Sequence, residues 1–293
     1  MINAPILHYS SVEEVIENAE TILEIFKTEA AVAIRGVHPT VEQQVQIIKG
    51  LGDVSGWVPN NSSNFEQQYV ESHKRIINKE NTSGDTIVLG WHMEHVEYDH
   101  ISPIIGGCWN MVKFTADPDT GRTYVVDTAK LLASLPKEDQ DFLSDMEVQW
   151  SEPGEDRKYI TKAVRNHWLT GEPTLRLHIG TIDTVPENLY SVEGREPTDS
   201  ERSRFVALRT GLMERIHNDE SLRIVHRWNQ GDILLPDLFK GAHTITGGFS
   251  SEDREFVGYW LYPEAPDADE EYENLTSAVS ERTHRVEEDP NES

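Results

Sequence analysis

The segment GWHMEHVEYDH, residues 90–100, contains three histidines among three acidic side chains. In a β-strand alternate residues point to the same side, so His92 and Glu94 can reach one metal ion while Met93 points away. An imidazole and a carboxylate suit iron, and a second histidine would complete a face of two histidines and one carboxylate. Such a face leaves coordination positions open for a co-substrate and for oxygen. The segment therefore predicts half of an iron-type site.

A pattern as short as His-x-Glu also arises by chance, and histidines beside acids are commonly solvated ion-pair partners. A metal site therefore needs a further histidine in a suitable setting. In WNQGDILLPDLFKGAHTITGGF an apolar run ends at LLPD, the chain turns through LFKG, and His243 begins the next strand. Structural or surface roles are predicted for the histidines that lack this setting, namely His178, His217, His226 and His284.

Helices and many short strands must position these residues. Helical periodicity with start and stop signals predicts helices at residues 11–30, 39–52, 128–146 (broken at Pro136) and 197–219. Apolar runs between turn signals predict strands at 31–37, 85–98, 106–116, 122–128, 241–248 and 254–263, and further strands within 156–179 and 221–237. This pattern favours an α+β domain with a sheet sandwich or barrel at its centre.

We expect a single domain over residues 1–265. From Pro266 onward the chain is polar, acidic and poor in core residues, so residues 266–293 are predicted to be a mobile tail. Two polar stretches, residues 55–84 and the insert around 180–200, are the places where substrate choice is expected to lie.

The formal charge of −26, from 52 acidic and 26 basic side chains, repels phosphate backbones and anionic lipid headgroups. Nucleic acid and membrane partners are therefore not expected, and a small-molecule partner is. We find no basic leader followed by an apolar run, and no apolar stretch of membrane-spanning length. Cys108 is the only cysteine, which excludes an internal disulfide. These features predict a cytoplasmic protein, and they do not indicate its oligomeric state.

Five segments, in order between about residue 30 and residue 262, resemble the taurine and 2,4-D dioxygenase (TauD/TfdA) family and its clavaminate-synthase-like relatives. They are AVAIRGVHPTVEQQVQIIKGLGDV, GWHMEH, DTGRTYVVDTAKLLASLP, AVRNHWLTGEPTLRL and WNQGDILLPDLFKGAHTI. Each motif alone is weak, whereas five in the family's order are specific.

The resemblance implies an iron(II)- and 2-oxoglutarate-dependent oxygenase with a double-stranded β-helix (jelly-roll, cupin-like) core and flanking helices. It implies that His92, Glu94 and His243 bind iron, that Thr123 contacts 2-oxoglutarate, and that Asp237 holds a turn or supports a ligand. The expected reaction uses O2, hydroxylates a small molecule and releases succinate and CO2. The glutamate in the ligand pair resembles the clavaminate-synthase-like branch, which favours an amino acid or amine derivative as substrate.

The chain departs from the family pattern where an arginine binds the far carboxylate of 2-oxoglutarate, because those positions are Val257 and Gly258 here. Arg254 shares a strand face with Gly258 if the strand is regular, and a guanidinium suits bidentate binding of a carboxylate. Alternatively, Arg254 pairs with Asp253 or Glu255 at the surface.

Arg122 and Lys113 are the other candidate cations. The displaced arginine leaves two further interpretations open: a non-catalytic metal-binding or small-molecule-binding protein of the same fold, and an iron enzyme that does not use 2-oxoglutarate. The complete set of metal ligands argues against the first, and the segment around Thr123 argues against the second.

Overall fold

The computed structural model describes residues 2–59, 86–87, 90–94, 96, 105–151, 158–179 and 187–263. Its helices are α1 Val12–Glu17, α2 Ala19–Thr28, α3 Val41–Ser55, α4 Thr128–Ala133, α5 Lys137–Ser144 and α6 Asp199–Asn218. Its strands are β1 Ile2–Asn3, β2 Ile6–His8, β3 Ala31–Arg35, β4 Trp57–Pro59, β5 Gly106–Phe114, β6 Thr123–Asp127, β7 Met146–Ser151, β8 Lys158–Lys162, β9 Val164–Asn166, β10 Pro173–Leu175, β11 Glu187–Val192, β12 Arg223–His226, β13 Ile233–Pro236, β14 Gly241–Ile245 and β15 Arg254–Pro263. The predicted tail, 266–293, and most of the predicted loop 55–84 lie outside these residues.

The helices follow their local signals with two differences. The helix predicted over residues 11–30 is divided into α1 and α2 at Asn18, whose backbone departs from helical geometry. The helix predicted to stop at Gly52 continues to Ser55 and ends at Gly56, which adopts a left-handed conformation with φ of 74°. Position 50, inside α3, requires glycine because a Cβ there would meet the Ile16 side chain at 2.7 Å. The predicted break at Pro136 is confirmed, since α4 and α5 lie on either side of it.

Two sheets face each other across the centre of the protein. The smaller has the strand order β1-β12-β6-β14, and the larger has the order β2-β3-β13-β5-β15-β4. The space between them holds a cluster of buried side chains from both sheets, including Ala31, Ala33, Trp109, Met111, Leu234, Phe256 and Trp260 from the larger sheet and Val125 and Ile224 from the smaller. Alternation along the strands sends their other side chains outward.

Two further layers cover the outer faces of the sheets. Helices α1 to α3 pack on the larger sheet. Helices α4 to α6 and the three-stranded sheet β11-β7-β8 pack over the smaller one. The mixed α and β content agrees with the predicted class. No helix within the described part of the chain combines the length and apolar character needed to cross a membrane.

Successive strands alternate between the two sheets. The DPDTG turn takes the chain from β5 in the larger sheet to β6 in the smaller one, and β12, β13, β14 and β15 alternate in the same way. A local turn signal predicts a change of direction but does not indicate which strands pair, so this crossing was not evident from the sequence.

Cys108 lies on the outer face of the larger sheet and is fully buried, as is common for a free cysteine. The Gln44 amide donates to the Cys108 carbonyl at 2.8 Å and lies 3.8 Å from the sulfur. Burial raises the pKa of the thiol to about 12, against a smaller opposing effect of Gln44.

Helix α6 begins with a capping box that gives its stability a defined pH dependence. The Thr198 side chain accepts from the Glu201 N–H, and the Glu201 carboxylate accepts from the Thr198 N–H at 2.8 Å. Arg195 donates to both oxygens of the same carboxylate, at 3.0 and 2.7 Å. Hydrogen bonding to Arg195 and then to Thr198 lowers the pKa of Glu201 to about 2.

Glu201→Gln should reduce the free energy of unfolding at neutral pH, because it removes the carboxylate bound by Arg195. A glutamate in the unfolded chain has a pKa of about 4.3, so this stabilisation is complete above that pH. It disappears as the pH falls towards the lower pKa of Glu201 in the folded protein. Urea unfolding midpoints of the wild type and the variant should differ at pH 7 and converge below about pH 4. Glu196→Gln, at an exposed position near Arg202, is the matched control. A difference unchanged at low pH would contradict the prediction.

Candidate metal centre

Three side chains from two distant parts of the sequence form a cluster that could hold a metal ion. One ligand atom each from His92, Glu94 and His243 lies within 4.8 Å of the other two. Glu94 Oε1 is 3.3 Å from His243 Nε2 and 3.6 Å from His92 Nε2. Neighbouring ligand atoms bound to one ion at about 2.1 Å lie about 3 Å apart. The three side chains therefore need only small movements to bind a common ion.

Backbone hydrogen bonds between the two segments bring these ligands together. The His92 N–H donates to the His243 carbonyl at 3.1 Å, and the His243 N–H donates to the His92 carbonyl at 2.8 Å. The His92 segment therefore lies antiparallel to β14. Trp91 and Met93 point to the opposite side and are buried in the cluster beneath the smaller sheet. The continuous strand predicted over residues 85–98 is wrong for its described residues, since only Ile87 and His92 form bridges and Glu94 lies in a turn. Met93 nevertheless points away from His92 and Glu94, as predicted.

Both histidines are oriented by backbone carbonyls. The Nδ1 atom of His92 is 2.9 Å from the Gly90 carbonyl, and that of His243 is 3.2 Å from the Gly241 carbonyl. A carbonyl accepts only, so each ring carries its proton on Nδ1 in the neutral state, and Nε2 keeps a lone pair facing Glu94. This tautomer is the one that a metal ion at Nε2 requires, so the residues present fit such an ion.

The charge balance of the cluster also suits a cation. Burial by itself raises the pKa of Glu94, but hydrogen bonds to His243 and His92 outweigh burial and hold this pKa well below its usual range. Burial lowers the pKa of His92, but Glu94 outweighs it and leaves this pKa raised, whereas burial and the charge of His92 lower the pKa of His243. A carboxylate whose pKa is lowered between two imidazoles favours a cation beside it, and a metal ion would supply that charge.

The turn before β14 sets the position of His243. Asp237 Oδ1 accepts from the N–H groups of Phe239 and Lys240 at 3.0 and 3.1 Å. Asp237 Oδ2 lies 2.8 Å from His167 Nε2. A side chain on Gly241 would meet the Asp237 carbonyl at 2.3 Å, so only glycine fits this turn. These contacts support the turn-holding role expected for Asp237.

Two aromatic rings assigned no functional role from the sequence support the ligands. Trp109 contacts the His243 ring edge-on, with centroids 5.1 Å apart. His178 Nδ1 accepts from the Met93 N–H at 3.3 Å, between the two ligands of the first segment. Burial and then the charge of His92 lower the pKa of His178 to about 3, so its ring is a neutral acceptor. The structural role of His178 is therefore to hold the backbone between His92 and Glu94.

Thr123 and Arg254 lie between the sheets, on the side of the site towards the start of β6. Thr123 occupies the same strand face as Val125, which is paired with His243. The Thr123 hydroxyl accepts from the Trp228 indole N–H at 3.0 Å. The Arg254 guanidinium is 5.8 Å from the ring centroid of Trp228. The structure thus brings both Thr123 and Arg254 next to one indole.

The register of β15 explains the position of Arg254. Gly258 pairs with Trp109, and Arg254 pairs with Phe114, although the ladder is shifted in between. The shift falls at Val112 of β5, so β15 keeps its alternation and Arg254 shares the face of Gly258, towards the space between the sheets. Directly paired residues share a face about 5 Å apart. The Trp109 indole therefore lies beside Gly258, in the space that an arginine at that position would need.

The alternatives for the cation fit the structure less well. Arg254 is only 6% exposed, so it does not form the surface ion pair that was the alternative interpretation. The Asp253 carboxylate instead accepts from Ser250 and Thr115. Lys113 is exposed and donates to the Glu252 carbonyl at 2.7 Å.

Arg122, the remaining candidate cation, lies on the other face of the smaller sheet. Its guanidinium is 5.6 Å from the ring centroid of Tyr124, whose side chain belongs to the outer cluster. Of the three candidate arginine and lysine side chains, Arg254 alone faces Thr123.

Residues 2–260 match the model of the taurine catabolism dioxygenase TauD, TfdA family. The chain belongs to this family. The family predicted from the five segments is therefore confirmed, and it identifies the protein as an oxidoreductase of the 2-oxoglutarate-dependent dioxygenase class, which works with a metal and 2-oxoglutarate.

Solved structures of dioxygenases have a fold similar to that of this chain. A taurine dioxygenase from Burkholderia xenovorans is 15% identical with a TM-score of 0.60, covering 86% of this chain and 85% of that one. A protein described as an alpha-ketoglutarate-dependent taurine dioxygenase from the same organism is 15% identical with a TM-score of 0.63, covering 92% and 91%. AAD-2, solved with Mn(II) and N-oxalylglycine, is 12% identical with a TM-score of 0.61, covering 92% and 98%. This similarity indicates a jelly-roll, cupin-like fold. A search of curated proteins gave no match.

His243→Ala should weaken Fe(II) binding at least about 100-fold, because one of three protein ligands is lost. Binding is measured by anaerobic equilibrium dialysis. His8→Ala changes an exposed histidine in β2 and should bind iron like the wild type. Unchanged iron affinity in His243→Ala would show that the metal is bound elsewhere.

His178→Leu should lower the free energy of unfolding by about 1–3 kcal/mol, because it leaves the buried Met93 N–H without its acceptor. His178→Asn places a carbonyl oxygen near the position of Nδ1 and should restore much of that loss. Chemical denaturation of both variants tests this, and equal loss in the two would assign the effect to packing alone.

Proposed function

We propose that the protein hydroxylates a small molecule, with iron(II) held by His92, Glu94 and His243 and with 2-oxoglutarate held by Thr123 and Arg254. The observation that carries this proposal is the convergence of two Nε2 atoms and one carboxylate within 4.8 Å, each ring fixed by a carbonyl at Nδ1. Three ligands on one side leave positions on the opposite side open for other molecules.

The spacing of the residues between the sheets supports the assignment of the co-substrate site. Val125 pairs with His243, and Thr123 is two residues further along the same strand face, which is about 7 Å. Thr123 therefore lies one strand repeat from the residue paired with His243, where a five-carbon dicarboxylate held at the metal could reach its hydroxyl. Arg254 is buried beside three aromatic rings, where a guanidinium binds a carboxylate more strongly than it does in water.

The protein side chains have separate tasks in this proposal. When bound, iron and 2-oxoglutarate supply the oxidising chemistry, in which O2 is consumed, 2-oxoglutarate becomes succinate and CO2, and a substrate C–H group becomes an alcohol. Glu94 stays ionised and offsets charge on the cation. His92 and His243 hold the cation through Nε2. Trp109 covers one side of His243 and excludes water there.

We further propose that residues 1–265 are one domain with a double-stranded β-helix at its centre. The alternation of β12 to β15 between the two facing sheets supports this topology, since it is typical of jelly rolls. The single run of similarity over residues 2–260 supports one domain.

An amino acid or amine derivative is the substrate class that we favour, and the cytoplasm is the favoured location. Glu94 as the carboxylate ligand and the net charge of −26 support a substrate that carries positive charge. The same charge opposes binding to nucleic acid or anionic membranes. The names of the two Burkholderia proteins refer to taurine as their own substrate, and taurine is not assigned to this chain.

Anaerobic titration with Fe(II) and then 2-oxoglutarate tests the proposal, with the visible charge-transfer band of the chelate as the signal. We expect a saturable band in the wild type. Arg254→Ala should weaken 2-oxoglutarate binding by about 10- to 100-fold, because a hydrogen-bonded charge pair is lost. Fe(II) affinity should not change.

Lys113→Ala is the matched control, since it removes an exposed cation from β5 and should leave 2-oxoglutarate affinity unchanged. Iron binding without a band would favour an iron protein that does not use 2-oxoglutarate. Failure to bind iron would favour a non-catalytic protein of the same fold.

A further inference from the structure

We propose that Trp228 is a positioning residue for 2-oxoglutarate, which its indole prepares by orienting the Thr123 hydroxyl and supporting the Arg254 guanidinium. The inference rests on the proposed function, because it concerns the same co-substrate. Trp228 is fully buried and lies in the connection between β12 and β13. Its sequence context, WNQGD, gives no indication of this role.

The hydrogen bond to Thr123 fixes the direction in which the hydroxyl can donate. An indole N–H donates only, whereas a hydroxyl has one proton and two lone pairs. Because the Thr123 oxygen accepts from Trp228 at 3.0 Å, its own proton must point to another acceptor. The carboxylate of 2-oxoglutarate is such an acceptor. By occupying the acceptor side of the Thr123 hydroxyl, Trp228 leaves that hydroxyl to act as a hydrogen-bond donor to the anion.

The same indole also lies next to the cation. The Arg254 guanidinium is 5.8 Å from the Trp228 centroid, 5.3 Å from that of Phe249 and 5.1 Å from that of Phe256. Guanidinium groups within about 6 Å of a ring centroid are attracted to it. Trp228 is the ring that also bonds Thr123, so it sets the separation between the hydroxyl and the cation.

Contacts of the residues that flank Trp228 hold the indole in place. The His226 ring stands edge-on to the indole, with centroids 4.4 Å apart and planes at 88°. Asp232 accepts from Arg35 at 2.9 and 2.6 Å and from the Asn229 N–H at 2.9 Å. These bonds hold the turn that follows Trp228 against β3. The indole therefore occupies its position before any ligand arrives.

Trp228→Phe separates this role from simple packing, because it keeps an aromatic ring and removes the N–H. We expect 2-oxoglutarate to bind about three- to tenfold more weakly, measured with the charge-transfer band. Fe(II) affinity should stay close to the wild-type value. A variant that binds 2-oxoglutarate like the wild type would overturn the inference while leaving the proposed function intact.

A double-mutant cycle tests whether Trp228 acts on 2-oxoglutarate through Thr123. In a Thr123→Val background, Trp228→Phe should cause no further loss of 2-oxoglutarate affinity, since the acceptor is already gone. Independent, additive losses would overturn the inference. Trp150→Phe is the matched control, because Trp150 is also fully buried and donates to a threonine hydroxyl, that of Thr161, at 2.7 Å. It should not change 2-oxoglutarate affinity.

A second measurement avoids replacing the tryptophan, in case Trp228→Phe does not fold. In protein labelled with ¹⁵N-tryptophan and loaded with Zn(II) in place of iron, the Trp228 indole signal is identified by its shift in Thr123→Val. Adding 2-oxoglutarate should slow hydrogen exchange of that N–H, because a hydroxyl that donates to an anion accepts more strongly. Unchanged exchange with 2-oxoglutarate bound would overturn the inference. If the wild type binds no 2-oxoglutarate, the proposed function fails first.

Discussion

The backbone pairing of His92 with His243 is the constraint on which the site depends. Two hydrogen bonds, of 3.1 and 2.8 Å, place imidazoles from distant parts of the chain side by side. A shift of one residue would turn each ring to the opposite face of the sheet. Two such bonds contribute only about 1–3 kcal/mol together, so they cannot fix the register alone. Burial of Trp91 and Met93 on the other face opposes such a shift, because both side chains would leave the cluster in which they pack.

From the metal cluster, a line of aromatic rings leads to the buried cation. His243 contacts Trp109 at 5.1 Å, and Trp109 contacts Phe256 at 5.9 Å. Phe256 contacts Trp228 at 5.8 Å, and the Arg254 guanidinium lies 5.1 Å from Phe256 and 5.8 Å from Trp228. These rings keep water from the space between the sheets and lower its dielectric constant. Charges at its two ends therefore act on a bound anion with little screening. The same rings that complete the core of the fold therefore set the electrostatic environment between the metal cluster and Arg254.

The parts of the site that could be predicted from the sequence are those set by local periodicity. Alternation was sufficient to place His92 and Glu94 on one side and Met93 on the other, and to place Arg254 on the same face as Gly258. The pairing of His92 with His243 and the shift at Val112 are non-local, because they depend on which strands become neighbours. Sequence periodicity carries no information about that choice.

The same distinction explains the errors along the helices. A glycine after an apolar face commonly ends a helix, and Gly52 met that rule, yet the chain stayed helical to Ser55. Packing of Gly50 against Ile16 stabilises those turns, and this contact joins two helices that the sequence presents separately. The role of Trp228 was equally hidden, since its partners Thr123 and Arg254 come from strands on opposite sheets.

The position of Cys108 has a consequence for how the protein tolerates air. An iron-dependent oxygenase works beside an oxidant, and a thiolate is the side chain that oxidants attack most readily. The only thiol of this protein lies behind the larger sheet with a pKa of about 12, so it stays protonated and shielded at physiological pH. Loss of activity during handling in air should therefore originate at the iron or its surroundings, and disulfide-linked dimers should form only after unfolding.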